Sequence, residues 1–347
     1  MLNPDELIVS LTRLYGPPGE EQEVTRWLTS NLAAMNISHR VDAKGNVVAI
    51  LGGDTGEVPI AVMAHMDEIA LIVTHVEKDG LLRVASLGGV YPWKWGEGAV
   101  EVLAPTGVIP GVLSFGSIHT DHPSSVAQQA REKPLTWNQA SIFTGKSSQQ
   151  LAAVGVKPGT RAVLGRSRRT VTQMDDFIGS PFLDDRADLA VWLMALERLS
   201  LSPVPPKVPL AFIATVSEEV GGEGARYWLQ RNPVDICVAL EIGPTTPDAV
   251  FEIDKEPTIW VRDGYAAIDA RDSAILEQCA RELNQQPHWQ YLSRGGSDAS
   301  CSAAIGLCAR SVTLGLAVDN SHGYEIMHRE APEQLCRLLL AYLSAAQ

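Results

Sequence analysis

Four stretches of the chain share one pattern, a short apolar run whose last residues turn polar: 60–67 (IAVMAHMD), 208–219 (VPLAFIATVSEE), 235–243 (DICVALEIG) and 311–322 (SVTLGLAVDNSH). Apolar runs of this length without alternation read as strands buried on both faces, as in a parallel sheet. Other segments repeat with the helical period. Residues 20–35 put Val24, Trp27, Leu28, Leu32 and Met35 on one face, and 188–199 put Leu189, Trp192, Leu193, Leu196 and Leu199 on another. Residues 331–344 do the same with Leu335, Leu338, Leu339, Tyr342 and Leu343. Helices are also expected over 5–14, 224–230 and 273–284, and strands over 38–41 and 47–51 around the Lys44-Gly45-Asn46 turn. Strands alternating with helices predict an α/β fold.

Between about 70 and 164 the texture differs. Glycines recur between short β-like runs such as LIVTHV, LLRVAS, AVEVLA and GVIPGVL, and no helical pattern is visible before 147–154. This spacing predicts a small all-β module. It is inserted into an α/β domain made of 1–69 and 165–347.

Composition narrows the function by exclusion. A chain of 347 residues, 45% of them hydrophobic, can bury a large core. No apolar run approaches the ~20 residues of a membrane helix, and the first residues lack the basic and apolar regions of a secretory signal. Five cysteines without a C-x-x-C pair suit reduced thiols, so a cytoplasmic location is expected. The net charge of −13 argues against a nucleic-acid partner. Neither a nucleotide-binding glycine loop nor a G-x-S-x-G elbow is present. His119-Thr-Asp-His122 has H-x-x-H spacing, but it lies in the β-rich insert without evident partner acids.

What remains is a scatter of acids and imidazoles at the ends of the apolar runs. In a parallel sheet these ends line one crevice, where ligands bind. His65 and Asp67 are two apart at a strand end, so their side chains leave the same face. A ligating histidine gives its second ring N–H to an acceptor, a role that Asp67 fits. Asp184-Asp185 precedes a helix; an N-cap with Arg186 as counter-charge accounts for one aspartate and leaves the other unexplained. Glu218-Glu219 directly follows a strand, and adjacent side chains diverge. One can hold a metal while the other takes a proton from water. Glu241 ends a strand too apolar to leave it unpaired, before Ile242-Gly243-Pro244 breaks the chain. His322 sits in a loop beyond another such strand. Carboxylates and imidazoles converging in one crevice are reconciled by two divalent cations.

The ordered set AHMDEIALIV, LDDR, SEEVGGEGA, ALEIG, GGSDA and NSHGYE resembles the glutamyl and deblocking aminopeptidases. Archaeal members of that family are called tetrahedral aminopeptidases, and some relatives carry an endoglucanase label. The likeness spans essentially the whole chain. It implies a three-layer phosphorylase/peptidase-like α/β catalytic domain and, over 70–164, an inserted PDZ-like β-barrel that mediates assembly. It also implies two divalent ions, zinc favoured over cobalt or manganese. By position, His65 and Glu241 would hold one ion, Glu219 and His322 the other. Asp184 would bridge them, Glu218 would be the general base, and Asp67 would orient His65. The implied activity is release of N-terminal residues from short peptides by a cytoplasmic homo-oligomer, between a dimer and a dodecamer.

Three positions depart from the family pattern. Glu241 stands where Asp is usual and reaches one methylene further. Ala70 replaces a glycine. The loop around His322 reads DNSHGYE rather than R-Y-x-H-S-P, which removes an arginine near the substrate pocket. These departures keep open a second reading, a two-metal amidase or deacylase acting on a specialised small amide or a blocked dipeptide. A glycosidase using Glu218 in an acid pair and a non-catalytic scaffold are further rivals.

Overall fold

The computed structural model describes residues 1–52, 59–131, 133–249 and 251–346. The chain forms two compact units, Met1–Glu68 with Val171–Gln347, and Ile69–Thr170. The boundaries expected at 69/70 and 164/165 therefore compare with 68/69 and 170/171, because the turn Arg166–Arg168 belongs with the inserted strands.

In chain order the strands of the first unit begin with β1 (His39–Val41), β2 (Val47–Leu51) and β3 (Ile60–His65). The inserted unit contributes β4 (Ala70–Val76), β5 (Leu82–Leu87), β6 (Gly98–Ala104), β7 (Gly107–Ser114), β8 (Ser141–Phe143) and β9 (Arg161–Leu164). The first unit resumes with β10 (Thr172–Met174), β11 (Phe177–Pro181), β12 (Leu210–Thr215), β13 (Val234–Pro244), β14 (Pro257–Arg262), β15 (His288–Tyr291), β16 (Cys308–Asp319) and β17 (Tyr324–His328).

The main sheet runs β1-β2-β12-β3-β13-β16-β17-β11-β10, with β14 on β16 and β15 on β14. Its centre is parallel as the apolar runs predict: β3 lies between β12 and β13, and β13 continues onto β16. Its flanks are antiparallel, through β2 on β12 and β17 on β16, so the sheet is mixed. Alternate residues of the central strands feed two cores, as the strand period of two requires. Val62, Phe212, Val238 and Leu314 join one core with the helices Pro4–Thr12, Gln22–Ala34, Leu183–Leu201, Ala270–Leu283 and Ala331–Ala345. Met63, Ile213 and Cys237 join the other, with Glu223–Leu229 and Asp298–Ala303. Helices on both faces make three layers.

Two local expectations change. The helix expected over 188–199 starts at Leu183 and is buried all round through Leu196, including Asp184, Asp185, Arg186 and Asp188. Four polar residues in its first turns hide the helical period there. Strand β13 does not break after Glu241 but continues to Pro244, paired with β16 as far as Val318. Gly243 is there for close packing: a Cβ on it would lie 2.2 Å from Thr258 Oγ1 on β14.

The inserted unit is a closed barrel, β4-β5-β8-β7-β6-β9. Strand β9 pairs with both β4 and β6 and completes the circle. Leu71, Val73, Leu82, Val100, Val102, Leu113, Ile142 and Ala162 fill its buried interior. Closure removes the open strand edges that would otherwise be available for pairing with other chains. Among the described residues no helix is long and apolar enough to cross a membrane.

Candidate metal centre

The carboxyl ends of β3, β12, β13 and β16 lie side by side, and the polar residues at those ends converge. His65 ends β3 and is 2% exposed. Its backbone N–H donates to Asp185 Oδ2 at 2.7 Å, and its ring Nδ1 lies 3.1 Å from the carbonyl oxygen of Asp67. That carbonyl can only accept, so Nδ1 carries a proton, and Nε2 faces Asp184 Oδ1, 3.1 Å away. Asp184 stands in the first turn of the helix Leu183–Leu201 with non-helical φ −74° and ψ 102°, and its peptide bond to Asp185 is cis. Its second oxygen, Oδ2, is 3.4 Å from His322 Nε2. One buried carboxylate thus faces both imidazoles. Glu219 Oε1 lies 4.0 Å from the same His322 nitrogen.

Ligand atoms of His65, Asp184, Asp185 and Glu241 lie within 4.8 Å of one another, and so do those of Asp184, Glu219 and His322. Asp184 belongs to both groups. The described residues do not bring His119 and His122 into such a group; His122 Nδ1 instead lies 2.7 Å from Ser124 Oγ.

Asp67 differs in its contacts from the expectation. Its carbonyl meets the His65 ring, while its carboxylate, 3.5 Å from Nδ1, accepts two other hydrogens. Oδ1 accepts the backbone N–H of Glu218 at 2.9 Å and Oδ2 that of Glu219 at 3.0 Å. Glu21, which the sequence left unremarked, adds a third anchor. Its Oε1 accepts both the N–H and the hydroxyl of Ser217 at 3.2 Å, and Ser217 has a left-handed φ of 57°. Carboxylates therefore hold three successive N–H groups around the glutamate pair. Glu325 and Asp298 were also missed, although they stand in the strings NSHGYE and GGSDA. Glu325 accepts the N–H groups of Asp184 and His322, and Asp298 Oδ2 accepts the Thr215 hydroxyl. Arg186 pairs with Glu68 at 3.0 Å, both fully buried.

Burial and crowding shift the acids together. Burial pushes Glu241 well above the carboxylate range, and repulsion from Asp184 and Glu218 adds to it. Burial also raises Glu218, with Asp298 and Glu219 contributing, although Glu218 keeps part of its surface in solvent. Glu219 is pushed up to about 7, mainly by burial. Burial opposes a charge on Asp184 too, but hydrogen bonds from His322 and His65 outweigh it and hold that carboxyl below its usual range. For His65, burial favours the neutral ring, yet Asp185, Asp184 and Asp67 raise its pKa well above the ordinary value. The Asp185 Oδ1 and both Asp188 oxygens have no hydrogen-bond partner among the described residues. A buried set of this composition, mixed imidazole and carboxylate, fits divalent transition metals, which offset the shared negative charge.

A mixed sheet with helices on both faces, and such a donor set at the carboxyl ends of its parallel strands, defines a metal-dependent hydrolase of the α/β class. The sequence profile of the M42 glutamyl aminopeptidase family matches residues 45–338, and the chain belongs to that family. The putative aminopeptidase FrvX of Escherichia coli (strain K12) is 27% identical over 349 residues, covering 98% of this chain and 94% of that protein. Among solved structures, the aminopeptidase APDkam598 from the archaeon Desulfurococcus kamchatkensis superposes with a TM-score of 0.86 at 26% identity, covering 98% of this chain and 94% of that one. The TET1 peptidase of Pyrococcus horikoshii, which can assemble into a tetrahedron or a large octahedral shell, shares the fold with a TM-score of 0.85, 24% identity and 98% coverage of each chain.

Proposed function

We propose that this protein is a two-metal aminopeptidase that removes N-terminal residues from short peptides. The observation that carries the reading is the sharing of Asp184 between two ligand groups, one with His65, Asp185 and Glu241, the other with Glu219 and His322. His65, Glu241 and Asp184 would hold one ion, and Asp184, Glu219 and His322 the second. Bound there, two such ions would supply Lewis-acid polarisation of the scissile carbonyl and would lower the pKa of the attacking water. Glu218 is the general base: it takes a proton from that water and returns it to the leaving amine. Asp67 fixes the base by holding its backbone N–H, and fixes the His65 ring through its carbonyl. Zinc is the favoured metal, with cobalt or manganese as substitutes, because the donors mix nitrogen and oxygen. The assemblies of the Pyrococcus horikoshii peptidase support a homo-oligomer here; we propose that its size lies between a dimer and a dodecamer and that the inserted unit Ile69–Thr170 serves assembly. Five buried free thiols suit a cytoplasmic location.

Hydrolysis of a panel of aminoacyl-nitroanilides and N-acylated dipeptides, before and after chelation, tests this reading. Cleavage of the unblocked substrates, abolished by chelator and restored by zinc or cobalt, is expected. Cleavage confined to the acylated compounds would replace the aminopeptidase with the amidase.

A further inference from the structure

Glu325 lies on β17, opposite Ser180 of β11 and just beyond the loop that carries His322. It is 1% exposed. Its two oxygens are divided between two distant segments: Oε2 accepts the backbone N–H of Asp184 at 3.0 Å, and Oε1 accepts that of His322 at 2.8 Å. Both segments adopt backbone conformations that need support. Phe182, just before Asp184, has φ 63°, and His322 has φ 57°, each in the left-handed region that L side chains enter at a cost. One carboxylate therefore fixes, at the same time, the acid that faces both imidazoles and the imidazole on its Oδ2 side.

The His65 side is anchored by other atoms. The Asp67 carbonyl holds its ring and Asp185 holds its N–H, while Glu241 is fixed within β13, paired with β16. Among the described residues Glu325 reaches that half only through the shared Asp184, whereas in the other half it holds two of the three residues, so its influence falls mainly on the His322 half.

We infer that Glu325 is the positioning residue of the His322 half, tying Asp184 and His322 together through their backbone N–H groups and so setting the affinity of the ion held by Asp184, Glu219 and His322. The inference rests on the assignment of these residues as ligands. Glu325→Gln retains the shape but turns an NH2 donor toward one of the two N–H groups, and one segment loses its acceptor.

Zinc binding to metal-free wild type and to Glu325→Gln, measured by competition with a chromophoric chelator, tests it. The wild type is expected to take up about two tight equivalents. The variant binds the second roughly 10–100-fold more weakly, the usual effect of losing a support behind a ligand, and the first, which depends on Glu325 only through Asp184, is weakened much less. Thermal unfolding of both metal-free proteins, run in parallel, reads any general loss of structure. If Glu325→Gln does not fold, Glu325→Asp, one methylene too short to reach both segments, carries the same expectation. Two equivalents at wild-type affinity in the variant, or equal weakening of both, would overturn the inference and leave the aminopeptidase reading intact. A wild type that binds no zinc would overturn both.

Discussion

Asp67, Glu21 and Glu325 do related work at different points of the centre: each spends its carboxylate on backbone N–H groups of residues beside the reacting positions. Such supports are poorly visible in a sequence. Glu21 and Ser217 are 196 residues apart, and Asp184 and Glu325 are 141 apart, so neither periodicity nor local spacing links them. The residues that converge in the crevice were easier to pick out, because His65, Glu218, Glu219 and Glu241 stand where apolar runs end, and a buried strand rarely finishes on an acid without a partner. Glu218 is proposed as the base and left out of the ligand set. Glu218→Gln keeps the backbone N–H that Asp67 holds but cannot take a proton. We expect kcat to fall by about 10²–10⁴, with the bound metal unchanged by elemental analysis. A variant that loses its metal together with its activity would move Glu218 into the ligand set.

The parallel order of β12, β3, β13 and β16 follows from their continuous apolar runs, since strands covered on both faces need no alternation. The start of the helix Leu183–Leu201 was hidden because Asp184, Asp185, Arg186 and Asp188 interrupt its apolar period while being buried themselves. The extension of β13 past Glu241 was hidden for a different reason. Ile242-Gly243-Pro244 reads as a chain break, whereas the glycine serves a close approach by β14. Glu241 pairs in register with Gly315 of β16, and a Cβ on Gly315 would come 2.5 Å from the Glu241 carbonyl oxygen. A backbone atom in a central strand has little room to yield. Gly315→Ala should therefore cost about 1–3 kcal/mol of stability in denaturant titration and weaken metal binding by displacing Glu241. Unchanged stability would show that the two strands separate there without cost.

For the molecule as a whole, the crowded acids make stability depend on pH. Glu219 is held near 7 and Glu325 near 8, both above the ordinary 4.5 of a glutamate. The folded metal-free protein thus keeps protons that the unfolded chain has released, and its stability falls as pH rises through that window. The raised His65 acts in the same sense, because its stabilising charge is lost as pH rises. Asp184, held low, contributes equally across the window. Tm of the metal-free protein should be higher near about pH 5.5 than near about pH 8, and added zinc should raise Tm more at the higher pH. A metal-free Tm that climbs between these two conditions would contradict the crowding.

The central claim is that the acids and imidazoles gathered around Asp184 hold two metal ions. Elemental analysis of the purified protein after reconstitution with zinc, beside Asp184→Ala treated identically, tests it most directly. About two equivalents per wild-type chain, with both lost or weakened in the variant, is the result expected of a shared ligand. A wild-type chain that retains no metal, or an Asp184→Ala chain that retains both ions at full affinity, would contradict the account.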